Sequence, residues 1–396
     1  MLLSLISLKA QNSFYYPYGM GKSYINSSTR MEAMGYSGSA IYDSLQVTSY
    51  NPGMWHSFNT VSLQGKLDYS SMSSSKINGN YKTTSLEGFT IKMPIGNYSG
   101  LAFGLKSLFR VNSKSIITDH VSFFDESLDF ENSIIMNGGV SDFFLGAGYR
   151  VTEYLSAGLV ANFLFGKYST RIKTEGESSL YYYNKINNIK GRQLGFGLNW
   201  DVPDNYAISL YYDRNLDFKY DQIVDYHIGK DDTLDYKSID YPSNLQIGVK
   251  KHIKPGLIAT ADINYSSLPN SLSQLTVLGS GKYNDAYLIG AGLEKQPSQE
   301  FNPGLLQRMY YRLGGFYRKE GFRPLEENGY GQSYTEKGVS LGLGLPFYND
   351  YSRLDISLIY SIADGFLDSE IGKENKITIN FEITSGGLWF NNALRK

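Results

Sequence analysis

The run that comes nearest to a phosphate cradle is Gly19-Met20-Gly21-Lys22-Ser23, which ends as a phosphate-binding loop ends. That chemistry needs a glycine five residues before the second one, so that successive backbone N–H groups converge, and an apolar strand leading in. Position 16 is Tyr and no such strand precedes it, so the run is dismissed as a phosphate loop. Histidines stand at His56, His120, His227 and His252, and no pair has metal-ligand spacing or a serine-histidine-aspartate arrangement. Asp231-Asp232 could hold calcium, although an exposed acidic pair is more often simply solvated. Cysteine is absent, which removes disulfide frameworks and thiolate metal sites. The residues therefore point to no enzyme, no metal and no cofactor.

The elements around these residues follow from composition. The 396 residues carry 37 basic against 38 acidic side chains, which leaves no basic face for nucleic acid. Mean hydropathy is −0.31, and no run of eighteen apolar residues exists, which excludes a bundle of membrane-spanning helices. A membrane strand needs an apolar residue only at every second position, so a barrel keeps overall hydropathy low. At the N-terminus, the apolar run Leu2 to Leu8 and Leu8-Lys9-Ala10 before Gln11 resemble the end of a signal peptide without its basic start. Residues 1–10 are thus expected to be a truncated signal peptide.

From Phe58 onward the apolar period is two. Ile377, Ile379, Phe381 and Ile383 alternate with Thr378, Asn380, Glu382 and Thr384. Such faces suit either a soluble sandwich, apolar face to apolar face, or a membrane barrel with its apolar face to lipid. Connection lengths favour the barrel. Short turns at 94–97, 151–153, 203–205, 254–256 and 348–350 alternate with long polar stretches near 112–130, 173–183, 219–240, 267–282 and 319–334. All long loops would then leave one end, as in outer-membrane barrels. The expected fold is all-β, a 14-stranded antiparallel transmembrane β-barrel over 57–386, with a C-terminal periplasmic tail at 387–396. In the second strand, over 80–93, Glu87 falls on the same face as Phe89, Ile91 and Met93, a conflict with the pattern. Trp200, Tyr149 and Phe347-Tyr348 sit near strand ends, as an aromatic girdle would.

A barrel this wide cannot be filled by wall side chains alone. The Gly- and Ser-rich segment 11–56 fits as an N-terminal hatch, or plug, inside the lumen. Inward-facing Lys66, Asp68, Lys250, Asp262, Arg312, Asp355 and Glu382 could pair with one another, or with Arg30, Glu32 and Asp43 of the hatch, or merely solvate a wet lumen.

Arg30, Ala33-Met34-Gly35, Gly38, Ala40, Asp43 and Asn51-Pro52-Gly53 together resemble the hatch of the FadL-type outer-membrane transport proteins, a family whose relatives include the type IX secretion shuttle barrel. The family usually has Ala where Gly53 stands. The resemblance implies that Arg30, Met34, Gly35, Asp43, Asn51, Pro52 and Gly53 form the hatch motif, with Arg30 and Asp43 as anchors. It implies transport of a hydrophobic small molecule, such as a long-chain fatty acid or hydrocarbon, across the outer membrane of a Gram-negative bacterium. It also implies lateral exit into outer-membrane lipid beside a kinked third strand, here near Gly100, Leu101, Phe103 and Gly104, where strand glycines permit a bend. The alternative is a non-transporting barrel, a subunit or docking platform of a secretion or assembly complex. Tyr-rich outer loops such as Ser179 to Tyr183 would then meet protein partners. In either case a monomeric barrel is expected.

Overall fold

The computed structural model describes residues 5–10, 13, 15, 20–24, 27–47, 50–76, 80–123, 126–175, 180–203, 205–226, 232–275, 281–298, 300, 303–326, 329–347, 351–366 and 372–387. His227, Asp231 and the tail beyond Gly387 lie outside them.

Fourteen strands make the wall: β1 Val61–Ser74, β2 Asn80–Ile95, β3 Ser99–Phe123, β4 Glu126–Arg150, β5 Leu155–Glu175, β6 Leu180–Val202, β7 Tyr206–Tyr226, β8 Ser243–Lys254, β9 Leu257–Ser267, β10 Ala286–Lys295, β11 Tyr310–Lys319, β12 Thr335–Phe347, β13 Ser352–Asp364 and β14 Glu374–Gly387. Each pairs antiparallel with the next, and β14 pairs with β1 from Glu374↔Ser74 to Gly387↔Val61, so the sheet closes on itself. The wall is inside out by the standards of a water-soluble protein. On β14, Ile377, Phe381 and Ile383 are 42–53% exposed, whereas Thr378, Asn380, Glu382 and Thr384 are buried. Lipid solvates the first set, and the filled lumen satisfies the second. Among the described residues no helix is long and apolar enough to cross a membrane.

Strand length is uneven. β8 to β14 run 10–14 residues, close to what a bilayer needs. β3 to β7 run 21–25 residues and stand well above the apolar belt. The stretches expected as loops near 112–130, 173–183 and 219–240 are therefore mostly continued strand. Above the membrane both strand faces are free of lipid, so the apolar alternation fades while the ladder continues.

β2 and β3 part company. Their ladder runs only from Ile95↔Ser99 to Gly88↔Lys106, after which β2 stays with β1 and β3 follows β4. A bulge on each strand marks the divergence, between Lys66 and Leu67 of the β1–β2 register and between Ser107 and Phe109 of β3. Bulges re-aim strands. The first also resolves the Glu87 conflict: the extra residue turns Glu87 inward, where it meets Lys66 at 2.6 Å, while Leu86 and Phe89 both face out. The edge of β3 thus freed is taken by Lys22–Ser23, paired with Arg110 and Phe109, and by Leu5–Ala10, paired with Thr118 to Ser113.

Candidate functional site: a plugged lumen

The N-terminal segment packs against the inner face of the wall at two docking points. At the first, Ser28 caps a single helical turn, α1 Thr29–Glu32, its Oγ accepting from Met31 N at 3.4 Å. Glu382 on β14 accepts from Thr29 N at 2.6 Å and also holds Gln64. Gly35 ends the turn at φ +67, a conformation that glycine adopts without strain. Its N–H donates to Ser340 on β12 at 2.9 Å, and Asp262 on β9 accepts from Gly38 N and Ser39 N at 2.9 and 3.0 Å. Inward glycines make the close approach possible: a Cβ on Gly290 would lie 1.8 Å from the Gly35 carbonyl oxygen, and one on Gly314 would lie 2.1 Å from the Met34 carbonyl carbon.

Charge completes this docking point. Arg30 donates to Asp43 at 2.7 Å and to both oxygens of Glu294 at 2.8 and 2.5 Å. Glu294 also accepts from Arg312 at 2.8 Å, Arg312 donates to Asp355 at 2.5 Å, Arg353 donates to Asp355 at 2.7 Å, and Arg353 returns to Asp43 at 2.6 Å. Three guanidiniums and three carboxylates alternate in a closed, buried ring with no net charge. The Tyr310 ring lies 5.1–5.8 Å from all three guanidiniums. Burial works against the charge of Asp43, but the Arg353 and Arg30 guanidiniums prevail and hold its carboxyl well below the usual carboxylate range.

The second docking point is Asn51-Pro52-Gly53. Asn51 Oδ1 caps the 3₁₀ turn Pro52–Ser57 by accepting from Gly53 N at 2.9 Å. Its Nδ2 donates to Leu198 O, Ser209 Oγ and Leu210 O at 2.7–3.1 Å, across β6 and β7. Trp55 is buried against Phe144, their centroids 6.1 Å apart. Gly100, Gly148, Gly158 and Gly197 leave room for this turn: a Cβ on Gly100 would meet the Trp55 carbonyl oxygen at 2.0 Å.

The structure thus brings Arg30 and Asp43 into contact, sets Met34 and Gly35 beside them, and places Asn51, Pro52 and Gly53 at a separate point. The expected lateral gap at Gly100 to Gly104 needs correction. Gly100, Leu101, Phe103 and Gly104 are paired on both edges, with β2 and with β4, and Gly100 serves hatch packing rather than a bend. The wall parts further along, beyond Gly88 and Lys106. Of the inward charges, Lys66 meets Glu32 at 2.6 Å, Asp68 meets Lys22 at 3.3 Å, and Lys250 lies 5.5 Å from the Tyr42 ring. Sequence reasoning missed Glu294 and Arg353. Glu294 was readable from its alternation with outward Ile289 and Leu293, whereas Arg353 sits at a strand start where the phase is unset.

Two of the candidate residues make ordinary structural contacts. Lys22 of the glycine run faces Asp68, and His56 Nδ1 lies 3.1 Å from Gly53 O. Among the described residues no cluster of three or more His, Cys, Asp or Glu could hold a metal ion.

Above the hatch lies a cavity of about 140 Å³. Its floor is polar, with Lys106 and Asp142 paired at 3.4 Å and Asp213 accepting from Asn244 at 3.0 Å. Its upper wall is apolar, with Leu108 and Phe109 of β3 beside the parting, and Tyr241, Leu272 and Phe322 from the outer connections. Leu272 and Leu275 of the 3₁₀ turn Asn270–Leu275 pack with Tyr168, Ile189 and Phe218 of the tall strands, so these connections fold inward over the mouth.

A family model described as BamG matches residues 1–394. No curated protein matches the sequence. Among solved structures, a Pseudomonas aeruginosa FadL homologue superposes with TM-score 0.64 at 11% identity, covering 92% of this chain and 99% of its own. The Pseudomonas putida toluene transporter TodX gives TM-score 0.54 at 13% identity, covering 92% and 98%. The CymD monoaromatic hydrocarbon channel gives 0.53 at 13% identity, covering 95% and 99%. At these identities the likeness establishes a shared fold, the FadL-like barrel.

Proposed function

The chain belongs to the BamG family, and from that premise we propose that it is a bacterial outer-membrane barrel acting as a structural subunit or docking platform of a protein assembly complex. The family name hints at an assembly role. The observation that carries the reading is the bolted hatch. A through-route requires the N-terminal segment to move, and the buried ring of Arg30, Glu294, Arg312, Asp355, Arg353 and Asp43 opposes that movement. Stripping one partner from a buried ion pair costs about 3–5 kcal/mol. A platform needs such rigidity and gains from the tall sheet of β3 to β7, whose outer end carries Tyr183 and Tyr226 with ring centroids 5.5 Å apart. Tyrosines are effective interface anchors.

A second reading, transport of a hydrophobic small molecule, is favoured by the cavity itself. Its 140 Å³ is below the ~300 Å³ at which pockets for drug-sized ligands begin, and near the ~150 Å³ of a cavity that takes one benzene ring. On this reading the cargo is a single aromatic ring rather than a long acyl chain, and its exit is the parting of β2 and β3 beside Leu108. The deciding experiment is mild detergent extraction of the native protein, followed by mass spectrometry of co-purifying proteins and of solvent-extracted small molecules. The platform reading expects stoichiometric protein partners and an empty cavity. A monomer carrying a hydrocarbon would overturn it in favour of transport.

A further inference from the structure

The cavity above the hatch is lined by nine aromatic rings and four charged side chains, the acids Asp142, Asp213 and Glu320 and the base Lys106. Lys106 meets Asp142 Oδ2 at 3.4 Å and lies 4.3 and 5.3 Å from the rings of Tyr50 and Phe144, outside the lining. Asp142 Oδ1 has no hydrogen-bond partner, although the residue is only 1% exposed. Asp213 accepts from the backbone and side-chain nitrogens of Asn244 at 3.0–3.1 Å, both neutral donors. The field of Lys106 reaches Asp213 as well, so one ammonium serves two floor carboxylates. Glu320 enters from the outer connection after β11. Arg318 and Lys376, whose fields reach Glu320, are both bound to Glu336, at 3.5 and 3.1 Å. Among the described residues neither Asp213 nor Glu320 forms an ion pair of its own.

The rings wall the space at several angles. Phe322 stands steeply to Tyr283 and Phe366, with centroids 5.4 and 6.2 Å apart, and Phe109 is edge-on to Tyr241 at 6.4 Å. Aromatic faces attract cations, most strongly where water is excluded. The two floor carboxylates converge on the same space, since the fields of both reach the buried Tyr211 and Tyr241. Burial pushes the Glu320 carboxyl above its ordinary value, the direction expected of an acid short of a counter-ion. A neutral hydrocarbon would satisfy the rings and leave the carboxylates as they are. An organic anion would add to a charge that is already in excess. A cation answers both features, and the carboxylates offset the cost of taking it out of water.

We propose that the cavity binds a small organic cation, a single aromatic ring bearing an ammonium group. The ammonium sits on the floor with Asp142 and Asp213, and the ring lies among Tyr241, Tyr283 and Phe322. The ligand gives Asp142 Oδ1 the donor it lacks and gives Asp213 a counter-ion of its own. The inference deepens the transport reading and rests on it for a cargo, adding the cargo's charge to the size set by the cavity.

The test is calorimetric titration of the full chain in dodecyl maltoside, a detergent with no ammonium of its own. The probes are benzylammonium, its neutral twin benzyl alcohol, and toluene. Benzylammonium is expected to bind about tenfold more tightly than benzyl alcohol. Asp213→Asn is expected to bring the two affinities together, whereas Asp217→Asn, which removes a partner of the exposed Arg192, keeps them apart. Benzyl alcohol binding as tightly as benzylammonium, or an unchanged preference in Asp213→Asn, overturns the inference. Toluene separates this failure from that of the transport reading. Toluene bound without benzylammonium would overturn the inference and leave transport of a neutral ring standing, and no binding of any probe would overturn both. Should Asp213→Asn fail to fold, Glu320→Gln, outside the wall strands, serves in its place. It is expected to weaken benzylammonium more than benzyl alcohol, and equal weakening of the two would overturn the inference.

Discussion

Arg30 grips Glu294 with two parallel bonds, Nε at 2.8 Å and Nη2 at 2.5 Å, between a helical turn in the lumen and wall strand β10. Forked Arg–carboxylate pairs fix orientation as well as distance. The next arginine along the ring, Arg312, shares Oε2 of Glu294 at 2.8 Å, so one carboxylate joins the hatch to two adjacent wall strands.

Glu294→Gln should therefore do more damage than a typical buried polar change. Two guanidiniums lose their shared anion inside a closed lumen, and the expected cost is about 3–5 kcal/mol. The hatch should loosen before the wall does. Limited proteolysis should then cut within the N-terminal segment while the barrel keeps its heat-modifiable migration on gels. An unchanged digestion pattern would mean that the ring is not what holds the hatch.

Asp43 predicts an acid limit. Its carboxyl is held below its ordinary value, so its stabilising contribution is whole above the unfolded pKa, roughly 3.9. The contribution falls away as pH drops through the folded value. Hatch protection from protease should be steady from neutral pH to about 5 and decline below about 4. In Asp43→Asn it should be weaker at neutral pH, with less further loss in acid. A decline centred near pH 7 would point to another group.

Glycine substitutions separate close approach from mere flexibility. Gly290→Ala puts a Cβ 1.8 Å from the Gly35 carbonyl oxygen and should cost about 1–3 kcal/mol or displace the turn. Gly65→Ala, on β1 with no atom within 4 Å, should be near neutral in the same unfolding assay. Gly53→Ala restores the residue usual in FadL-type hatches. Its Cβ would lie 3.1 Å from Asn51 Oδ1 and the Gly197 carbonyl, close enough to need an adjustment of a few tenths of an ångström. A cost under about 1.5 kcal/mol is expected, and a larger one would show that the turn cannot give.

How far the sequence could be read depends on what solvates each strand. β14 is legible because lipid on one side and a filled lumen on the other impose alternation on every residue from Ile377 to Thr384. The upper half of β3 is not, since its outer face has left the lipid and Asn112 and Lys114 project from it. Glu87 was the visible trace of the parting of β2 and β3. Read without the bulge, it looked like a misplaced charge on an apolar face. The hatch motif marked Arg30 and Asp43 but not the arginine that closes the ring. Arg353 lies 310 residues from Asp43, and no local pattern connects them.

Locking the hatch tests whether function requires the N-terminal segment to move. Ser37 Oγ and Thr260 Oγ1 lie 2.6 Å apart, one on the hatch and one on β9, and the chain has no native cysteine to compete. Ser37→Cys with Thr260→Cys should oxidise to a disulfide, because hydroxyls in contact place the two Cβ atoms near the required ~3.5–4.5 Å. A platform works with its hatch fixed, so cells relying on the oxidised variant should assemble outer-membrane proteins at the normal level. Transport straight down the lumen needs the hatch to yield, so on that route uptake of a monoaromatic probe should stop on oxidation and return on reduction, whereas exit through the parting of β2 and β3 should leave uptake intact. Loss of function on oxidation, reversed by reductant, would therefore sink the platform reading, since the cross-link adds nothing to the outer surface and removes only motion.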